Sequence, residues 1–275
     1  MVLCVLTITL VCIAVVPALL DRVTPMTSPV VRLTAWLATL VTVLGAVLAL
    51  PVIAMATGHA ATATVVSVPI ALLAQGIWRR YTEIMRSTRE HAQAVYLISR
   101  PANGVRSQTP VVTIDSVLPL VYCLPGHPGL IVTTTAVRKR LGSAELQAVL
   151  AHEEAHLRQR HIQLRAMIEA VAITVRWLRF FRRAAERVTA ATELCADSAA
   201  ARRHHPHTLA RALLALAPAP PGALGAALSG APERLEQLLC RPRRNYLRQL
   251  VTGLTATAPA IAILTIDLWC PLMAS

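Results

Sequence analysis

Ala151-His152-Glu153-Glu154-Ala155-His156 contains the pattern HExxH. Two histidines four residues apart lie on one face of a helix, a single turn apart, so both imidazoles can reach the same metal ion. Glu153 is then placed beside that metal. A catalytic zinc ion takes three protein ligands and leaves the fourth position to water. The motif therefore predicts two of the three ligands of a zinc site, against the alternative of a helix with incidental polar residues.

A second motif, Glu193-Leu194-Cys195-Ala196-Asp197, places two carboxylates at the same four-residue spacing. We expect Glu193 to be the third metal ligand and Asp197 to accept the other N–H of a ligating histidine. Upstream, Ser143 with Glu145 in the following turn is typical of a helix N-terminus. One helix should therefore begin there and carry both histidines.

Two longer runs surround these motifs: LPLVYCLPGHPGLIVTTT at 118–135 and SAELQAVLAHEEAHLRQRH at 143–161. Together they resemble the BlaR-type membrane metallopeptidases, metallopeptidase family fifty-six, and are also similar to the HtpX and CAAX-protease-like family forty-eight. The resemblance covers roughly residues 95–245. It implies a gluzincin-type zinc protease domain in which the two histidines and the ExxxD glutamate bind Zn²⁺, one ion per chain. It also implies that an edge of a small sheet pairs with the extended backbone of the substrate.

Composition places the chain among membrane proteins. Hydrophobic residues make up 55% of its 275 residues and charged residues only 15%, which is unlike an ordinary soluble domain. Apolar runs extend over residues 2–20, 33–57, 60–78 and 250–273, and about 20 apolar residues are enough to cross a bilayer. The first run lacks a basic segment before it, which favours a retained helix over a signal peptide. We therefore predict an α-helical membrane protein with about four transmembrane helices and an α+β protease domain inserted between the third and the fourth.

This plan gives three parts: a membrane domain at 1–78, a zinc metalloprotease domain at 79–249, and a fourth helix with a short tail at 250–275. Arginines cluster after the first and third runs, whereas the turn at 57–60 and the tail carry no Lys or Arg. The positive-inside rule then places the protease domain in the cytoplasm and both termini outside, in a multi-pass protein of the cell membrane. The net charge of +13 can attract anionic lipid headgroups. No fingerprint of a nucleic-acid module is present, so we expect no direct binding of nucleic acid.

Within the inserted domain we predict a helix over 82–100 that runs into a short strand at 95–98, and a small antiparallel sheet beside the HExxH helix. Its strands are expected at 111–114, 117–124 and 130–134. The residues expected to pair with substrate are Leu130, Ile131, Val132, Thr133 and Thr134.

Later segments are less distinctive. Residues 162–181 are apolar but carry arginines, so they predict either a helix at the membrane interface or a buried core helix. Residues 217–232 are rich in Ala, Pro and Gly and read as a linker, and 232–239 predict a short amphipathic helix. The six cysteines form no CxxC pair, and a cytoplasmic domain is a reducing place, so no structural disulfide is expected.

These residues predict hydrolysis of peptide bonds. Zinc acidifies its bound water, and Glu153 acts as general base on that water and passes the proton to the leaving amine. Glu154 is expected to be a solvated helix residue, and His161 does not match the spacing of a third metzincin ligand. The cluster His204, His205 and His207, with Arg202 and Arg203, could supply an oxyanion donor or be merely solvated.

The expected substrate is a protein or peptide, for example a regulatory protein such as a transcriptional repressor. An HtpX-like quality-control protease is one alternative, and a non-proteolytic zinc-binding membrane regulator is another. A transporter is a third, because Asp267 lies inside the fourth apolar run. None of the non-proteolytic alternatives requires Glu153.

Overall fold

A computed structural model of the chain describes residues 2–24, 27–102, 104–217, 231–239 and 251–253, with side chains described in these ranges except at 2–12 and 231. Helices dominate it, together with one small sheet. In chain order the elements are α1 (Val2–Val23), α2 (Pro29–Ala56), α3 (Ala60–Ile98), β1 (Arg100–Pro101), β2 (Val111–Ile114), β3 (Val121–Leu124), β4 (Leu130–Thr134), α4 (Thr135–Arg140), α5 (Ser143–Arg158), α6 (His161–Thr174), α7 (Arg179–Ala200), α8 (Pro206–Leu216) and α9 (Ala231–Leu239).

The chain divides into two compact units. The first draws its described residues from Met1–Tyr81, Met167–Ala191 and Pro242–Ser275, and the second from Thr82–Ala166 and Thr192–Arg241. Residues 167–191, which the sequence placed in the inserted domain, thus belong to the first unit. The linker predicted at 217–232 and the fourth apolar run, including Asp267, lie almost wholly outside the described residues.

Two helices, α2 in the first unit and α3, which begins in the first unit and ends in the second, are long and apolar enough to cross a membrane. Both helices carry large apolar side chains that are exposed: Val41 is 69% exposed and Val65 is 71% exposed. Water disfavours such surfaces, whereas lipid does not. Gly58, at φ +78°, forms the predicted turn between the two helices, since glycine adopts this left-handed conformation without a steric penalty. These two helices indicate association with a membrane.

Helix α3 is longer than predicted, and the strand expected at 95–98 is wrong. Residues 60–98 form one continuous helix. Val95 is buried against the sheet together with the neighbouring Ala92, while Leu97 is 84% exposed. Contact through positions three apart is the mark of a helical face. The apolar run was therefore one helical stripe followed by exposed residues, and not a strand.

The sheet of the second unit has the strand order β1-β2-β4-β3. Strand β3 pairs antiparallel with β4, as predicted, but β2 pairs parallel with β4, with Val111 opposite Ile131. The prediction of a purely antiparallel sheet is therefore wrong. Strands β2 and β4 are the inner strands, and Ile131 and Val132 of β4 are fully buried.

This order corrects the predicted substrate strand. Leu130, Ile131, Val132, Thr133 and Thr134 make up β4, which has a partner along each side. A strand can accept an added strand only along an unpaired edge. The segment 130–134 therefore cannot pair with a substrate backbone, and the edge beside the HExxH helix is β3.

The HExxH helix α5 begins at Ser143, as predicted. The Glu145 carboxylate accepts a hydrogen bond from the backbone N–H of Gly142 at 3.1 Å, which satisfies a donor at the helix start. The buried face of α5 packs into a core with Ile131 of β4 and Leu209 of α8. This packing fixes the helix between the sheet and α8.

The segment expected to form one helix over 162–181 is broken. Helix α6 ends at Thr174 and α7 begins at Arg179. Phe180 and Phe181 are buried, whereas Trp177 in the connection is 64% exposed. The buried phenylalanines fit the predicted core helix, whereas the exposed Trp177 fits the predicted helix at the membrane interface.

Candidate metal centre

The two histidines of the HExxH motif and Glu193 converge on one point. His152 and His156 lie one turn apart on α5, and their Nε2 atoms are 3.0 Å apart. Glu193 reaches the same point from α7, with Oε2 at 3.5 Å from Nε2 of His152 and Oε1 at 3.6 Å from Nε2 of His156. Among the described residues these three form a group able to hold one metal ion.

These distances fit zinc. Ligand bonds of about 2.0–2.2 Å in a tetrahedron put neighbouring ligand atoms about 3.3–3.6 Å apart. The three distances of 3.0, 3.5 and 3.6 Å scatter around that value. Two imidazole nitrogens and one carboxylate are also a set of donors that catalytic zinc sites use. The residues present therefore fit a zinc ion with a fourth position left open.

Asp197 lies behind His152, as the ExxxD spacing predicted. Its Oδ1 is 2.9 Å from Nδ1 of His152, which is the contact that orients a ligating imidazole. Arg234 of α9 donates two hydrogen bonds to the same carboxylate, of 2.7 Å and 2.8 Å. Burial alone would raise the pKa of Asp197, but the hydrogen bonds from Arg234 and His152 outweigh it and hold that pKa below its ordinary value. Asp197 is therefore an ionised acceptor in a buried place.

Two guanidinium groups balance the carboxylates of the centre. Arg165 donates to Oε1 of Glu193 at 2.9 Å, and Nη1 of Arg234 lies 3.3 Å from Oε2 of the same residue. Burial opposes the charge on Glu193, but hydrogen bonds with His152 and His156 outweigh it and keep the pKa of Glu193 far below its usual range. Two carboxylates and two guanidinium groups carry no net charge between them.

His152 holds a proton when no metal is bound. Burial disfavours the imidazolium, but hydrogen bonds to Asp197 and Glu193 outweigh it and raise the pKa of His152 to about 10. A metal that takes Nε2 must displace that proton, because a ligating imidazole is neutral.

His161 lies behind the second ligand. It is almost fully buried, and its Nδ1 is 3.1 Å from Nδ1 of His156. Burial, and then the nearby His156, lower the pKa of His161 to about 4. As a neutral ring, His161 can accept the Nδ1–H of His156, which leaves Nε2 of His156 free to bind metal.

Glu153 lines the same cavity as both histidines. Cys123, on strand β3, lines that cavity as well. Burial, and then the charge of Glu153, raise the pKa of Cys123 above its ordinary value. Cys123 is therefore a neutral thiol that faces the carboxylate expected to act as base.

Glu154 points away from the centre, and the expectation that it is solvated is wrong. Only 8% of it is exposed. Its carboxylate accepts hydrogen bonds from Ser107 Oγ at 2.6 Å, from the backbone N–H of Gln108 at 2.9 Å and from Arg203 at 3.1 Å. Glu154 thus links the loop before β2, through Ser107 and Gln108, to Arg203 just after α7. Arg203 is engaged there and lies with His204 in a different cavity, so neither is placed as an oxyanion donor.

The cavity at the centre has a volume of about 490 Å³. One wall is the segment that leads into and forms β3, from Pro119 to Cys123, and another is built from leucines of α8 and α9. These leucines are Leu209, Leu213, Leu214, Leu216 and Leu235. The cavity is therefore polar around the proposed metal position and apolar beside it.

Comparison with known proteins gives one result. Residues 121–203 match the model of peptidase family M48. This range holds both motifs and β3, and it covers less than half of the chain. It indicates a zinc metallopeptidase domain, in agreement with the resemblance to family forty-eight; no match supports the BlaR-type family. No curated protein and no solved structure matches the chain.

Sequence reasoning missed Arg165, Arg234 and Cys123. Arg234 lies 37 residues beyond its partner Asp197 and outside the family match. A contact over that sequence distance cannot be predicted from local spacing. The predicted amphipathic helix at 232–239 was the nearest signal, since an arginine on its apolar side needs a buried partner. Cys123 could have been singled out by its place in a strand predicted beside the HExxH helix.

Proposed function

We propose that the protein is a membrane-associated zinc endopeptidase whose active site is the centre formed by His152, His156 and Glu193. The observation that carries this proposal is the convergence of three side chains: the two imidazole Nε2 atoms are 3.0 Å apart, and the two carboxylate oxygens of Glu193 lie 3.5 and 3.6 Å from them. Glu153 lines the same cavity. When bound there, zinc supplies Lewis acidity that makes water available as a nucleophile near neutral pH.

The residues of the chain then have separate tasks. Glu153 takes the proton from the attacking water and delivers it to the leaving amine. Asp197 holds His152 in one orientation, and Arg234 holds Asp197. His161 orients His156 in the same way, through the contact between their Nδ1 atoms. Because each ligand is fixed by a partner behind it, the site needs little rearrangement to bind its metal.

Strand β3 is the proposed substrate platform. It is an edge strand, and Leu120–Cys123 line the cavity beside Glu153. An extended segment of the substrate can add to that edge through backbone hydrogen bonds, which are independent of sequence. The leucines of α8 then favour an apolar substrate side chain next to the scissile bond.

The location and the substrate follow as further parts of the proposal. The arginine asymmetry supports a multi-pass protein with a cytoplasmic protease domain and both termini outward. A soluble regulator such as a transcriptional repressor, as in BlaR-type signalling, is then a reachable substrate. An HtpX-like role in quality control is the second candidate, and the apolar cavity favours it because misfolded membrane proteins expose apolar segments.

The test is Glu153→Gln in the full chain, purified in detergent. This change keeps size and hydrogen bonding but cannot take up the proton, so cleavage of casein and of a peptide library should fall about 10²–10⁴-fold while zinc content stays at one per chain. Glu169→Gln, at an exposed glutamate of α6, is the matched control and should cleave like wild type. Equal cleavage by Glu153→Gln and wild type would refute the assignment of Glu153. A cellular phenotype that survives Glu153→Gln but not His156→Ala would favour the non-proteolytic zinc-binding regulator.

A further inference from the structure

A second cavity lies in the first unit, apart from the metal centre. It has a volume of about 520 Å³ and is lined by α1 and by the start of α7. The α1 side contributes Ile13, Ala14 and Pro17, all apolar. The α7 side contributes Arg179, Arg182 and Arg183, with Phe180 and Glu186.

The polar side of this cavity is positively charged. Arg183 and Arg187 both pair with Asp21 at the end of α1, Arg187 at 2.8 Å. These pairs tie α1 to α7. Arg179 and Arg182 are exposed and form no ion pair with another described residue. The three arginines and one glutamate that line the cavity carry a net charge of +2.

The apolar side lies deeper along α1. Ile13 and Pro17 precede Asp21 by eight and four residues, which correspond to about 12 and 6 Å along a helix. The cavity thus passes from charged to apolar over roughly the distance that separates a phosphate from the first carbons of an acyl chain. Trp177, just before α7, is 64% exposed, and exposed tryptophan is typical of the level of lipid headgroups.

We infer that this cavity binds one anionic glycerophospholipid, with the phosphate at Arg179 and Arg182 and an acyl chain along Ile13, Ala14 and Pro17. Charge complementarity selects an anionic headgroup, because a zwitterionic lipid brings its own cation to an already cationic site. The apolar wall selects a lipid over free phosphate or an acidic protein, neither of which would cover the partly exposed Ile13 and the exposed Ala14. This inference stands apart from the proposed proteolytic function.

The experiment uses the full chain, delipidated in detergent and titrated with phosphatidylglycerol or with phosphatidylcholine of the same acyl chains, with bound lipid counted by native mass spectrometry. We expect one phosphatidylglycerol per chain and much weaker phosphatidylcholine binding. Arg179→Gln with Arg182→Gln should weaken phosphatidylglycerol about 30-fold, at about fivefold for each arginine. The control, Arg140→Gln with Arg202→Gln, removes the same charge from exposed positions outside the cavity and should bind like wild type.

A second variant tests the apolar half. Ala14→Trp fills the cavity without changing any charge and should also weaken phosphatidylglycerol at least tenfold. Retention of wild-type binding by either the double arginine variant or Ala14→Trp would overturn the inference. Displacement of the lipid by millimolar inorganic phosphate, or equal binding of the two lipids, would do so as well. Because zinc content and casein cleavage are read on the same samples, a failure here is distinguishable from a failure of the protease assignment.

Discussion

Replacement of Arg234 by methionine tests whether the support behind the metal ligands is needed for metal binding. The change keeps a long side chain but removes the two hydrogen bonds to Asp197, at 2.7 and 2.8 Å, and the contact with Glu193 at 3.3 Å. Asp197 is only 2% exposed, so water cannot replace the lost guanidinium. Removing one partner of a buried ion pair typically lowers the free energy of unfolding by about 3–5 kcal/mol. Because 19% of the Arg234 side chain is exposed, we expect the lower end, about 3 kcal/mol.

The effect on zinc is a separate quantity. Loss of a partner behind a metal ligand typically weakens metal binding about 10–100-fold, or about 1.4–2.8 kcal/mol. Arg234→Met should therefore bind zinc that much more weakly than wild type, in competition with a chromogenic chelator, and the metal-free protein should unfold at a lower temperature. Arg234→Lys should recover only part of both losses, because an ammonium cannot form the two parallel hydrogen bonds.

The control is Arg211→Met, which removes an arginine from an exposed pair with Glu145 at 3.2 Å. Such surface pairs contribute less than about 1 kcal/mol, so zinc affinity and thermal stability should stay close to wild type. The double variant Asp197→Asn with Arg234→Met should lose less than the sum of the two single losses, since both act on one contact. An Arg234→Met protein with wild-type zinc affinity and wild-type stability would refute the role given to this arginine.

Two further experiments distinguish effects on the stability of the fold from effects on zinc binding. Glu154→Gln should lower stability by about 1–3 kcal/mol, since Arg203 loses its buried anion, yet leave zinc content at one per chain; loss of zinc would place Glu154 in the centre after all. Zinc at a hundredfold excess over its Kd should stabilise the wild type by about 2.7 kcal/mol against thermal unfolding. That stabilisation should vanish on chelation and be absent in His156→Ala, and a full zinc effect in that variant would locate the metal elsewhere.

The parts of the site that the sequence predicted are those encoded by spacing within one helix. His152 and His156 are four residues apart on α5, and Glu193 and Asp197 are four apart on α7. Helical geometry alone puts each pair on one face. That the two faces meet was expected from the ligands that a zinc site needs, and also from the resemblance; the contact of 2.9 Å between Asp197 and His152 brings the two helices together.

The sheet was harder to predict because strand order is not local. The alternation and turn residues located β2, β3 and β4 to within a few residues, but they do not say which strand lies inside. The full burial of Ile131 and Val132 was the relevant signal, since a strand covered on both faces reads as a continuous apolar run. Leu130, Ile131 and Val132 form such a run, so the segment that was predicted to pair with substrate fits an inner strand better.

The electrostatic balance of the centre lay beyond any local pattern. A metal ion brings two positive charges to a site where Glu193 and Asp197 are ionised, and Arg165 and Arg234 already offset both carboxylates. The guanidinium groups repel that cation, so the gain in zinc affinity expected from Arg234 comes from holding Asp197 ionised and fixed behind His152. Their presence makes sense if each carboxylate must stay ionised and fixed when the metal is absent, so that the chain folds before zinc arrives. The arginines therefore also stabilise the metal-free protein, and Arg234→Met should lower the melting temperature both in excess zinc and in its absence.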